Sequence, residues 1–168
     1  RFNSYFYKIV LVQFQILNSS GQKRDKILFM VINLSDQHSL VSNWVGELRN
    51  VDVQNDRMRF RRNLERIAEV AAYEISKKLQ WKEEEITTPL GIANCKVLAE
   101  QPVLATILRA GLGMHYGLLN YFDKGENAFI SAYRKHHPDG SFEISLEYMS
   151  CPEIDNKVII ISDPMIAT

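Results

Sequence analysis

Three short stretches carry residue types that could do chemistry together. The first is ILRAGLGM (107–114), where an apolar run ends on Arg109 and passes into Ala110, Gly111 and Gly113. An arginine offers a planar fork of donors suited to phosphate, and small residues let backbone N–H groups come close to a ligand. A helix starting there would point its N-terminus at the same anion. The second is AYRKHHPDG (132–140), with Arg134 at the end of another apolar run, followed by Lys135, His136 and His137. It offers a second cation for the same anion. A metal site on the two histidines is disfavoured, because neighbours on a strand point to opposite faces. The third is IIISDPMIAT (159–168), where Asp163 leads through Pro164, Met165, Ile166 and Ala167 to Thr168. A carboxylate beside an anion site does not attract phosphate. It accepts hydrogen bonds from sugar hydroxyls or from the waters of a metal ion. Thr168 adds a hydroxyl and a backbone N–H for a phosphate. Taken singly, each stretch is equally well a strand-end turn with a surface charge. Taken together they suit a ligand with both phosphate groups and sugar hydroxyls.

Elements must bring these stretches to one place. PVLATIL (102–108) is a continuous apolar run of the kind found inside a parallel sheet, and KVIIIS (157–162) is another. AFISAYR (128–134) reads as a strand, HPDGS (137–141) as a turn and FEISLEYM (142–149) as the alternating strand of an exposed hairpin. GLGMHYGLLNYF (111–122) reads as a turn into a short helix. The order from Pro102 is strand, helix, strand, hairpin strand, strand. That order predicts an α/β domain with a mostly parallel sheet, and such sheets bind ligands at the carboxyl ends of their strands. Upstream, LVSNWVGELRN (40–50) shows helical spacing. Residues 58–80 form the clearest helix, with Phe60, Leu64, Ile67, Ala71, Ile75 and Leu79 on one stripe and Lys77 and Lys78 in its last turn. Arg59, Arg61, Arg62 and Arg66 cluster at its start and read first as a solvated face. EITTPLGIANCKVLAE (85–100) reads as short strands broken at Pro89–Gly91.

Composition bounds the rest. The 168 residues carry 20 Lys/Arg and 20 Asp/Glu, so no overall basic balance points to a nucleic-acid partner. The charge is uneven: residues 1–29 hold five basic residues and one acid. IVLVQFQIL (9–17) is too short to cross a bilayer and is broken by Gln13 and Gln15, so no membrane is expected. With Met30 the first methionine, residues 1–29 read as an extension outside the domain and 30–168 as the domain. The competing reading is an N-terminal strand over 5–17. Cys95 and Cys151 are expected to be free thiols, buried or half-buried, rather than a disulfide framework or a metal site.

ILRAGLGM, Tyr133–Arg134 and DPMIAT, in this order and spacing, resemble the type I phosphoribosyltransferases and, within them, the uracil phosphoribosyltransferase branch. The resemblance covers about residues 32–168. It implies the type I phosphoribosyltransferase fold, with N-terminal helices and a β-hairpin flap, and transfer of phosphoribosyl from 5-phosphoribosyl 1-diphosphate to N1 of uracil. It implies Mg²⁺ on the diphosphate, with no direct protein ligand and a water-mediated contact near Asp163. By the same resemblance Arg109, Ala110 and Gly111 match the diphosphate loop and Arg134 its second arginine. Asp163, Pro164, Met165, Ile166, Ala167 and Thr168 match the start of the ribose-phosphate loop. A homo-oligomer in the cytoplasm is implied as well. Pro164 and Ala167, where many type I relatives carry acids, fit the uracil branch, whereas Lys135, His136 and His137 depart from the usual flap. The family's loop continues beyond the threonine, and its uracil-reading segment lies further on. The expectation is therefore a C-terminally truncated member, inactive by itself. The alternatives are a non-catalytic phosphoribosyl-diphosphate-binding or RNA-binding module of the same fold, and a scaffold whose arginines are surface features.

Overall fold

The computed structural model describes residues 14–16, 32–36, 38–137 and 140–164; of Phe14–Ile16, Arg134 and His136 it describes the backbone alone. After a 3-10 turn at Leu34–Asp36 come helices α1 (Leu40–Arg49) and α2 (Arg57–Ser76). Helix α1 forms because Val41, Val45 and Leu48 recur at helical spacing and are all buried. Helix α2 starts at Asp56, whose carboxylate accepts from the backbone N–H groups of Met58 and Arg59, both at 3.0 Å. Its stripe lies as the spacing requires: Leu64, Ile67, Ala71 and Ile75 are buried, with Phe60 and Leu79 packed at the edge.

Helix α2 ends at Ser76, three residues before the apolar spacing does, so Lys77 and Lys78 lie beyond its last turn. The Trp81 indole N–H donates to the Ser76 carbonyl at 3.0 Å and satisfies one of the exposed carbonyls of the helix end. Three of the four arginines at the start of α2 are engaged. Arg59 pairs with Glu47 at 3.3 Å, Arg62 with Glu65 at 2.5 Å, and Arg66 donates to Asn63 at 3.2 Å and lies over the Trp44 ring. They belong to a helix face and its packing.

Strands β2 (Trp81–Thr88) and β3 (Gly91–Leu98) form a hairpin closed at Pro89–Leu90, with Gly91 at φ 131° supplying the turn. Among the described residues these two strands pair only with each other.

The main sheet runs β1-β7-β4-β5-β6. Its centre is parallel: β4 (Val103–Leu108) lies between β7 (Val158–Ser162) and β5 (Asn127–His136). Its edges are antiparallel: β6 (Phe142–Ser150) pairs with β5, and β1 (Phe14–Ile16) pairs with β7. The described part of residues 1–29 is thus a three-residue edge strand; the remainder of that stretch lies outside the described residues.

Helix α3 (Leu112–Leu119) follows β4 and packs with α2 over one face of the sheet. The core there joins Leu104 and Ile160 of the sheet to Ile67, Ala68 and Ala72 of α2 and to Met114 and Leu118 of α3. Gly113 and Gly117 make this approach possible. A Cβ on Gly117 would stand 2.2 Å from the Glu65 carbonyl oxygen, and one on Gly113 would stand 3.3 Å from Leu64 Cβ. On the other face Val103, Ala105 and Ala128 gather with Ile154 and Ile159. Ile161 is 45% exposed on that face, although its run reads as a buried strand. Both thiols are free; Cys95 is half-buried, whereas Cys151 is exposed rather than inside.

Candidate functional site

The parallel strands deliver their carboxyl ends to one edge of the sheet, where ligands of such sheets bind. Leu108 of β4 stands beside Ser131 of β5, and Thr106 stands beside Ser162 of β7. Arg109 and Ala110 leave β4 exposed, past a cis Leu108–Arg109 peptide, and α3 begins after Gly111. Asp163 and Pro164 leave β7 one step beyond Ser162 and are half-buried. So two of the three stretches singled out above meet at one edge.

Gly111 fixes that meeting. It is buried, and a Cβ there would stand 2.1 Å from the Thr106 hydroxyl and 2.6 Å from the Ser162 carbonyl oxygen. Only a residue with no side chain lets the Arg109 turn lie this close to the end of β7. The two strand ends are also bridged by side chains: Thr106 donates to Ser162 O at 3.4 Å and Ser162 donates to Ala105 O at 3.3 Å.

The third stretch stands alongside. Strand β5 pairs with β4 only as far as Ser131, then continues to His136 with β6 as its one neighbour among the described residues. The outer half of this hairpin therefore rises past the end of β4, next to the Arg109 turn, as a flap would. Arg134 sits on that extension. Lys135 and His137 both face Glu143, at 3.3 and 3.9 Å, which gives these flap side chains a structural partner. Met165, Ile166, Ala167 and Thr168 lie outside the described residues.

Between the β4 turn and the flap lies a cavity of about 770 Å³, lined by Leu108, Arg109, Ala110, Ser131, Ala132, Tyr133 and Glu147. Ser131 and Glu147 are not conspicuous in the sequence. They reach the wall through strand register, which no local pattern encodes. No group of three His, Cys, Asp or Glu side chains that could hold a metal ion occurs among the described residues. Glu147 and Asp163 supply hard oxygen donors at separate places. That donor set fits a cation such as Mg²⁺ that keeps its waters and takes most of its ligands from a substrate.

His115, on α3, lies away from this cavity. It is buried against Phe129, with ring centroids 5.1 Å apart. Among the described residues neither ring nitrogen has a hydrogen-bond partner, and burial holds its pKa below the ordinary histidine value, outweighing the opposing effect of the Asn127 side chain.

The family model described as uracil phosphoribosyltransferase matches residues 34–168, which include all three stretches. The chain belongs to the uracil phosphoribosyltransferase family. Its relatives include the uracil phosphoribosyltransferase of Porphyromonas gingivalis, 58% identical over 138 residues, a match covering 82% of this chain and 64% of that protein. The uracil phosphoribosyltransferase of Methanothermobacter thermautotrophicus is 39% identical over 111 residues, covering 65% of this chain and 51% of its own length. A solved structure of a protein from Aquifex aeolicus is also similar, with a TM-score of 0.68 and 28% identity. That match covers 79% of this chain and 62% of that one. The chain thus spans just under two thirds of the length of its Porphyromonas relative. Family membership and the α/β fold agree with the resemblance that the three stretches carry. In this uracil phosphoribosyltransferase family member, no helix among the described residues is long and apolar enough to cross a membrane.

Proposed function

We propose that this chain carries the diphosphate and ribose side of a uracil phosphoribosyltransferase site, serving transfer of phosphoribosyl from 5-phosphoribosyl 1-diphosphate to N1 of uracil. One observation carries the reading. Arg109 opens onto a cavity at the carboxyl edge of a parallel sheet, in the same corner where β7 releases Asp163. In the reaction the bond from the anomeric carbon to diphosphate breaks, a bond to N1 of uracil forms, and the N1 proton is lost to solvent. The products are UMP and diphosphate.

The chain's own residues would act by position and charge. The Arg109 fork binds the diphosphate and stabilises the charge that grows on it as it leaves. Arg134, on the flap strand, is proposed as the second cation. Asp163 accepts hydrogen bonds from the ribose hydroxyls and so orients the anomeric carbon toward the base. The loop from Pro164 through Met165, Ile166 and Ala167 to Thr168 is assigned to the 5-phosphate by its resemblance to the family. Flap closure over the cavity would exclude water from an oxocarbenium-like centre. Mg²⁺ would be held on the diphosphate, near Asp163 through waters, and would supply neutralisation of the leaving group. No side chain is nominated as a general base. A homo-oligomer is proposed on family grounds, as are a cytoplasmic location and independence from membranes and nucleic acid. Three of the arginines at the start of α2, Arg59, Arg62 and Arg66, are committed to Glu47, Glu65 and Asn63, which does not favour the RNA-binding alternative.

The test is calorimetric titration of the chain with 5-phosphoribosyl 1-diphosphate and Mg²⁺. Binding that Arg109→Ala weakens tenfold or more supports the reading. Absence of binding, or equal binding by Arg109→Ala, overturns it.

A further inference from the structure

Glu147 stands on the cavity wall, and the transfer proposed above gives it no task. Ser131 of β5 faces Tyr148, and the next residue, Ala132, faces Leu146. Glu147 is therefore the extra residue of a β-bulge. A bulge takes one residue out of the ladder and re-aims its side chain, and bulges gather beside active sites. The residue freed here is a carboxylate, placed with Arg109, Ser131 and Tyr133 around one cavity. The other glutamate of the flap strand, Glu143, is occupied by Lys135 and His137. No ion pair engages Glu147 among the described residues.

A carboxylate in a cavity for diphosphate worsens the charge problem. Among the described lining side chains Arg109 carries the one positive charge and Glu147 the one negative charge, beside the flap strand that carries Arg134, the second cation proposed above. The ligand brings several negative charges of its own. A cation standing between carboxylate and diphosphate would relieve the repulsion between them. We propose that Glu147 is a further contact, besides Asp163, to the hydrated divalent cation that accompanies the diphosphate, its oxygens accepting hydrogen bonds from the cation's waters. The position suits Mg²⁺, which gives up water reluctantly and is commonly held by one or two carboxylates plus substrate phosphates. The inference rests on the diphosphate-site reading. It adds that the bulge couples diphosphate affinity to Mg²⁺, so that the cavity takes the metal complex and discriminates against the bare anion.

The experiment measures calorimetric binding of inorganic pyrophosphate to the full chain across a Mg²⁺ series, for wild type, Glu147→Gln and Glu143→Gln. Glutamine keeps the shape of the bulge and removes the charge, and Glu143→Gln makes the same charge change on the same hairpin outside the cavity. The Mg²⁺ concentration for half-maximal binding should rise about tenfold in Glu147→Gln and stay unchanged in Glu143→Gln. Electron paramagnetic resonance of Mn²⁺ with pyrophosphate should show the same selective loss of bound ion. Equal Mg²⁺ dependence in wild type and Glu147→Gln overturns the inference, as does an equal shift in both variants. Tighter pyrophosphate binding by Glu147→Gln with and without Mg²⁺ also overturns it, since Glu147 would then only repel. Wild type that binds no pyrophosphate under any condition overturns the diphosphate site itself, and the inference with it.

Discussion

Gly111 and Ser162 are separated by 51 residues in sequence, yet a methyl group on Gly111 would stand 2.6 Å from the Ser162 carbonyl oxygen. This seam joins the turn that carries Arg109 to the strand that carries Asp163. The diphosphate side and the ribose side of the proposed site are therefore positioned by one backbone contact. Small shifts at this seam would move both.

Gly111→Ala is expected to lower the unfolding free energy by about 1–3 kcal/mol, the usual cost of forcing a methyl group into a packed region. It should weaken pyrophosphate binding as well, because the Arg109 turn must move away from β7. Gly46 in α1 provides the contrast. A Cβ there meets nothing within 4 Å, so Gly46→Ala should stabilise by about 0.5–1 kcal/mol through helix propensity. Urea unfolding of the two variants, with pyrophosphate calorimetry of the first, checks the pair. Equal effects in the same direction would contradict the packing role assigned to Gly111.

Arg109→Lys keeps the charge and loses the fork. If Arg109 grips the diphosphate with two parallel donors, lysine should recover less than half of the binding free energy lost in Arg109→Ala. Both variants should unfold at the wild-type urea midpoint, because Arg109 is exposed. Full recovery by lysine would mean that only charge matters at this position.

His115 sets an expected pH dependence of stability. Its pKa in the folded state is lowered by burial, so the unfolded chain binds a proton more readily than the folded one. The stability this group contributes is complete above its unfolded pKa of about 6.5 and declines as pH falls toward the lower folded value. Urea midpoints should therefore drop from pH 7.5 to pH 5.5, and His115→Leu should flatten that drop. An unchanged slope in His115→Leu would show that other groups carry it.

Asn63 is fully buried and donates to Glu47 at 2.7 Å, and this bond is the main cause of the lowered Glu47 pKa. In the wild type that stability is present above the ordinary carboxylate pKa and is lost as pH falls from there through the lowered folded value. Asn63→Asp should reverse the trend. At pH 7 it sets a buried carboxylate against Glu47 and should cost about 2–3 kcal/mol. On acidification the new carboxyl takes a proton, donates again, and the deficit should shrink. A deficit that is constant between pH 7 and pH 4.5 would argue against the pairing.

Much of this molecule is legible in local pattern. The stripe from Phe60 to Leu79 predicts α2, the runs at 102–108 and 157–162 predict the parallel strands, and the alternation at 142–149 predicts the hairpin strand. Arg109 and Asp163 stand out because a charge directly after a buried strand is visible in one dimension. Other features were not legible. Gly113 reads as a ligand-approach glycine, yet its neighbour is Leu64. Lys77 and Lys78 read as the last turn of α2, yet the helix ends at Ser76, where the Trp81 indole meets its carbonyl. Cys151 looks like an inward thiol and is exposed.

By itself, then, the sequence determined the order of the elements, the family to which the chain belongs, and the charged residues at the strand ends. These depend on side-chain periodicity and on the chemistry of neighbours along the chain. Only the tertiary structure decided that Gly111 closes on Ser162, that Ser131 stands beside Leu108, and that a bulge brings Glu147 to the same cavity as Arg109. Those facts depend on strand register and close backbone approach between distant segments. Such contacts are set by how whole elements pack, and no single stretch of residues contains them.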